Sequence, residues 1–253
     1  MNIWDEYAER MELHGSTRRE AAKVKLEKRL EHKAKDTLSF HTAIIDGEER
    51  ELTIINSDNF DEKTLITLPG ETLRMGAYVE WMEQHWLITS KDFNTEIYTK
   101  AKMEQCNYLL RWIQSDGTIL ERWSIVNDGT KYMTGEYGDR DFIMNRGDSR
   151  IQLYLPIDEE TLKLTREQRF LIDAYGANDV LSYRLSKPVK LGGSFDNNGV
   201  MAFVLQEVNS TDDDNFELHI ADYYKYYPKP GETAAVVPVE PGDTERKGRK
   251  VWL

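Results

Sequence analysis

From Leu38 onward the apolar residues recur at every second position, and turn pairs punctuate the runs. A period of two places alternate side chains on opposite faces of a strand, so this chain is committed to half-buried strands rather than helices. The stretch FHTAIIDGEERELTIINS, residues 40–57, reads as two strands joined at Asp46-Gly47, a pair that tolerates positive φ. Pro69-Gly70, Asp116-Gly117 and Asn197-Asn198-Gly199 end further apolar runs. Short strands at such spacing predict a mainly β chain folded as two small β-barrel or sandwich modules.

Inside the first β segment, GAYVEWMEQHWLITS (residues 76–90) sets Trp81 and Trp86 on either side of a polar break. A turn over Met82–His85 lets the two indoles face each other, with Val79, Leu87 and Thr89 continuing the alternation. The pair then packs a barrel core rather than holding a ligand.

The N-terminal region follows a different period. Ile3, Trp4, Tyr7, Met11 and Leu13 have roughly helical spacing, which Gly15 breaks. Thr17 with Glu20 forms a capping box, and no Gly or Pro interrupts Ser16–Asp36, so a helix is predicted over Thr17–Lys35. Between Arg18 and Lys35 eight cations oppose three glutamates, a local +5 in a chain whose net charge is −12. Its apolar stripe is thin and rich in Ala. The reading is a projecting arm that docks on an acidic partner; phosphate contacts with nucleic acid and a plain solvated helix are the alternatives.

The organisation that follows is an N-terminal helical arm (1–36), a first β-barrel domain (37–148), a second β domain (149–228) and an extended Pro-rich tail (229–253). Pro228 directly precedes the tail, which carries Pro230, Pro238 and Pro241. The Gly-rich and charged stretch 127–148 is read as a long excursion and a candidate moving loop. STDDDN, residues 210–215, is read as a solvated acidic loop, and FELHIADYYKYYP, residues 216–228, as a last strand. Its tyrosines suit an edge strand or subunit interface better than ligand stacking.

No reaction chemistry stands out. The five histidines (His14, His32, His41, His85, His219) show no ligand spacing, and the one cysteine, Cys106, opens an apolar strand as a small core residue. No nucleophile elbow or phosphate loop occurs. The expectation is therefore no enzyme, no cofactor and no metal site. A single cysteine excludes an intramolecular disulfide and points to a reducing compartment. The charged N-terminus predicts no signal peptide, and no apolar run is long enough to span a bilayer. The net negative charge argues against general affinity for nucleic acid or anionic membrane.

The strings MNIWDEYAERMELHGSTRREAAKVKLEKRL, GAYVEWMEQHWLIT, IYTKAKMEQCNYLLRWIQSDGTILERW, LPIDEETLKLTREQRFLID and YRLSKPV resemble structural proteins encoded in the head–tail gene region of phages and prophages of Gram-positive bacteria. The tryptophan hairpin also looks like the β-barrel of head-completion (stopper, head–tail connector) proteins of long-tailed phages. The resemblance spans roughly residues 2–208. It implies a ring-forming neck component in the virion, assembled in the host cytoplasm. Its partners would be other copies of itself, portal or adaptor proteins, tail proteins, and double-stranded DNA passing through the channel without sequence-specific binding. Partner contacts are assigned to Trp4, Tyr7, Arg18, Arg19, Lys23, Lys28 and Arg29 in the arm, and to Trp252 and Leu253 in the tail. A minor head or tail-tip structural protein, or a nucleic-acid-binding module using the basic helix 17–35, are the alternatives.

Overall fold

The computed structural model describes residues 4, 7, 17–92, 96–128, 150–173, 180–190 and 198–229. Among the described residues the chain is mainly β, with one long helix and two six-stranded antiparallel units. The helix, α1, spans Arg18–Lys35. Its N-terminus carries the predicted capping box: the Glu20 N–H donates to Thr17 Oγ1 and the Thr17 N–H donates to Glu20 Oε2, both at 3.2 Å. No residue of α1 is buried.

The first unit is a closed barrel of β1 (Phe40–Ile45), β2 (Glu48–Asn56), β3 (Glu62–Thr67), β4 (Tyr78–Trp81), β5 (Gln84–Lys91) and β6 (Lys100–Gln105), in the order β1-β2-β3-β6-β5-β4. The β1–β4 seam that closes it is short, pairing Ile44 with Glu80 and Ile45 with Val79. Alternate residues point inward, so Ala43, Ile45, Leu52, Ile54, Leu65, Val79, Trp86 and Ile88 share one core. Trp81 packs at its edge, with ring centroids 5.9 Å from Trp86 and 5.3 Å from His41. The tryptophans therefore serve the barrel, as the alternation implied.

The turn between them is shorter than predicted. Trp81 pairs with Gln84, leaving a two-residue turn at Met82-Glu83. Both turn residues have positive φ, 52° and 58°. This is the geometry that matches strand twist in a tight hairpin, and it normally takes Asn-Gly. Met-Glu carries no such signature, so the sequence hid the turn. Replacing Met82-Glu83 by Asn-Gly is expected to raise stability by about 1 kcal/mol in denaturant titration, by relieving left-handed strain.

The second unit contains β7 (Tyr108–Ile113), β8 (Ile119–Asp128), β9 (Arg150–Pro156), β10 (Arg169–Asp173), β11 (Val180–Lys190) and β12 (Val200–Val208), in the order β10-β11-β12-β9-β8-β7. Its terminal strands curl toward each other. The Tyr108 hydroxyl donates to Leu171 O and accepts from the Asp173 N–H, both at 3.3 Å. Trp112 of β7 and Phe170 of β10, both buried, meet edge to face at 6.4 Å.

This topology moves one boundary. β7 and β8, assigned by sequence to a domain running to residue 148, belong to the second sheet. The Cys106 N–H still bonds to His85 O of the barrel at 2.8 Å, while the next N–H, that of Asn107, bonds to Ser124 O of β8 at 3.1 Å. The units change over between adjacent residues, with no linker composition to mark it. The candidate loop 127–148 lies outside the described residues apart from the end of β8. The tail beyond residue 229 also lies outside them.

Two further readings are corrected after β12. Asp214 is not solvated: its side chain is fully buried and bonds Arg169 at 2.7 Å. The segment 216–228 is not a strand. It holds one bridge, Asn215 to Ile220, then a single 3-10 turn at Tyr223–Lys225. Buried Ile220 and Ala221 pin it, Tyr223 stacks on Tyr227 at 4.7 Å, and the Tyr227 hydroxyl donates to Gly117 O at 3.1 Å. These tyrosines strap the segment after β12 onto the β7–β8 turn.

Candidate functional site

Among the described residues, two places suited to making contacts are the arm and the outer face of the first barrel. In the arm, Trp4 and Tyr7 are 73% and 58% exposed, with ring centroids 6.5 Å apart. Arg18, Arg19, Lys28 and Arg29 are exposed along α1, and Lys23 is half-buried. Two helix cations reach back to the chain's own barrel: Arg19 bonds Glu96 at 2.5 Å, and Lys35 lies 3.5 Å from Glu51 of β2. Both pairs are exposed, so each contributes little. Trp252 and Leu253 lie outside the described residues.

The barrel face went unnoticed in the sequence. Thr42, Ile44, Glu49 and Glu80 point outward, and Ile44 is 41% exposed. Register lines up Glu49, Ile44 and Glu80 across β2, β1 and β4. With Trp81, Met82 and Glu83 of the hairpin, they line an open cleft of about 530 Å³. Its lining combines apolar Ile44, Trp81 and Met82 with acidic Glu49, Glu80 and Glu83. Around the same end of the barrel, Leu38, Phe60 and Met82 are 99%, 93% and 65% exposed. The only cue in the sequence was Ile44 beside Ile45, since one of two adjacent strand residues must face out.

The two units meet at a packed junction. Leu87, Cys106, Ile125 and Val200 form its core, flanked by Tyr78, Trp123 and Tyr154. The Tyr78 hydroxyl donates to Trp123 O at 2.5 Å, and His85 stacks on Trp123 at 4.3 Å. Below them the Gly199 N–H donates to Met75 O at 3.1 Å.

Burial pushes the Cys106 thiol up to about 12, and the nearby Glu104 carboxylate adds to the effect. The reactive form is the thiolate, so this thiol is inert at neutral pH. A thiol reagent is expected to leave Cys106 untouched in native protein and to titrate one thiol after denaturation; rapid native labelling would show that the junction opens. Among the described residues, no group of three His, Cys, Asp or Glu side chains could hold a metal ion. No helix among them is long and apolar enough to cross a membrane.

Residues 26–105 match the family model described as the YomX N-terminal domain. The match begins within α1 and ends with the last residue of β6, so it takes in the whole first barrel. The domain's name is phage-associated and points to a phage-related protein. No curated protein matches the chain. Among solved structures, the chain is similar to one described as "MrkH, A novel c-di-GMP dependence transcription regulatory factor". Identity is 8%, coverage is 76% of this chain and 85% of that chain, and the TM-score is 0.25. At that TM-score the two folds superimpose poorly, and nothing about function passes between them.

Proposed function

We propose that this chain is a virion structural protein of a tailed phage: a ring-forming neck component, of head-completion or head–tail connector type, that joins the portal vertex to the tail and retains packaged DNA. The observation that carries the reading is the phage-associated domain match over the first barrel. The geometry supports it in three ways. A junction with both a packed core and hydrogen bonds makes the two β units a stiff building block. A helix without buried residues lies available for a neighbour. The net charge of −12 suits a channel wall past which DNA slides without sticking. In this role the protein's partners are its own copies, portal or adaptor proteins, and tail proteins, and its work is assembly rather than catalysis.

Sedimentation velocity and native mass spectrometry test the reading. Closed rings, alone or on a purified portal ring, are expected. A protein that stays monomeric with and without portal, and binds DNA with steep salt dependence, would sink it. So would a hydrolase activity abolished by substitution of Cys106.

A further inference from the structure

We infer that α1 of one copy docks into the β1–β4 cleft of the next, making a head-to-tail contact between identical chains. The inference rests on the ring reading above and names the surface that would build the ring.

The helix has two faces. Ala21, Val24, Leu30 and Ala34 are partly covered, whereas Ala22, Leu26, Arg29 and Lys33 follow the i, i+4, i+7, i+11 spacing of one face and are all exposed. Lys25 flanks this outward face. Lys25, Arg29 and Lys33 take part in no ion pair among the described residues. The outward face is therefore a small apolar centre, Leu26, with unpaired cations around it.

The cleft has the opposite character. Ile44, Trp81 and Met82 supply its apolar lining, and Glu49, Glu80 and Glu83 its acidic lining. These glutamates are exposed and make no ion pair among the described residues. Three unpaired carboxylates beside an apolar lining match three unpaired cations around an exposed leucine. Such matching selects partner and register.

The chain's own helix does not fill its own cleft. Lys35 ties it at Glu51 on β2, and Arg19 ties it at Glu96 in the β5–β6 connection. That connection lies on the β3 side of the barrel, where Ile97 O accepts from the Gly70 N–H at 2.8 Å. The helix is thus tied at Glu51, across from Thr42 at the edge of the cleft, and at the β5–β6 connection, with Lys25, Arg29 and Lys33 exposed. A contact between two different patches of one molecule is heterologous; repeated, it builds a ring where its rotation closes and an open filament where it does not.

The test uses the full chain with its charges exchanged. One variant carries Glu49→Lys, Glu80→Lys and Glu83→Lys; the other carries Lys25→Glu, Arg29→Glu and Lys33→Glu. Each alone sets like charges against each other and is expected to weaken self-association at least about tenfold in sedimentation velocity. Mixed, each helix again meets a cleft of opposite sign, so association is expected to return, which also certifies that both variants fold. Separately, Leu26→Cys and Met82→Cys copies are mixed under mild oxidation. A disulfide-linked dimer of the two kinds on a non-reducing gel is expected, well above either variant alone. Wild-type oligomers that neither reversal weakens, with no mixed disulfide, would overturn this contact and leave the ring reading standing. A wild-type chain that stays monomeric both alone and with a purified portal ring overturns both.

Discussion

Gly76→Ala is expected to destabilise the protein by roughly 3–5 kcal/mol, a large part of the net stability of a typical domain. Two penalties combine. Gly76 sits at φ +80°, where a side chain is strained, and an added Cβ would lie 2.1 Å from Gly199 O and 2.9 Å from Gly199 C. That contact is backbone, so it cannot swing aside. Gly199 is held in turn: its N–H donates to Met75 O, and its carbonyl accepts from the Ile157 N–H at 2.9 Å. The clash therefore falls on the junction between the two β units. Denaturant titration should show the loss in stability, with the units unfolding in separate transitions. Gly70→Ala is the control, because φ is +82° but nothing lies within 4 Å of the added carbon. It should cost only about 1 kcal/mol. Equal losses at the two sites would mean that the Gly76–Gly199 approach contributes nothing.

Arg169→Ala is expected to cost roughly 3–5 kcal/mol, because it strands a buried carboxylate. The guanidinium is 12% exposed and bonds Asp214, whose side chain is fully buried, and Asp222 at 2.8 Å. It also donates to Ser182 Oγ at 2.8 Å and to Asn209 O at 3.2 Å. One cation therefore ties the segment after β12 to β10 and β11. Burial would push the Asp214 carboxyl up. Hydrogen bonds from Arg169 and from the Asp222 and Thr211 N–H groups outweigh that, with the Arg169 charge assisting, and hold it below the usual carboxylate range. A carboxylate depressed in the folded state stabilises above its unfolded pKa, about 4, and that contribution is lost as pH falls through the folded value. The stability gap between wild type and Asp214→Asn should accordingly be widest near neutral pH and shrink below about pH 4. A gap independent of pH would show that Asp214 is not titrating in the network.

Much of the β architecture was legible because it is local. Asp46-Gly47 makes a two-residue turn with both φ positive, Asp116-Gly117 falls in the longer β7–β8 loop with Gly117 at φ 84°, and alternation put Leu52, Ile54 and Leu65 inside. Thr17 and Glu20 capped the helix where their side chains reach the free N–H groups. Met82-Glu83 was hidden because neither residue favours positive φ, so the register of β4 on β5 imposed it. The acidic run at 212–214 looked solvated because its neutralising partner stands more than forty residues earlier in the chain.

The candidate site was half visible. The cations of the arm show in sequence as a charge excess on one helix. The cleft does not, because Glu49, Ile44 and Glu80 become a row only through strand register. The sequence by itself determined the acid surplus, which is composition, and the strand period and the capped basic helix, which depend on neighbours within a few residues. Only the tertiary structure decided that β7 and β8 leave the first barrel, that Gly76 meets Gly199, that Asp214 is buried on Arg169, and that acidic and apolar residues line one cleft. Each depends on contacts between distant segments, and local propensity carries no information about which strands pair.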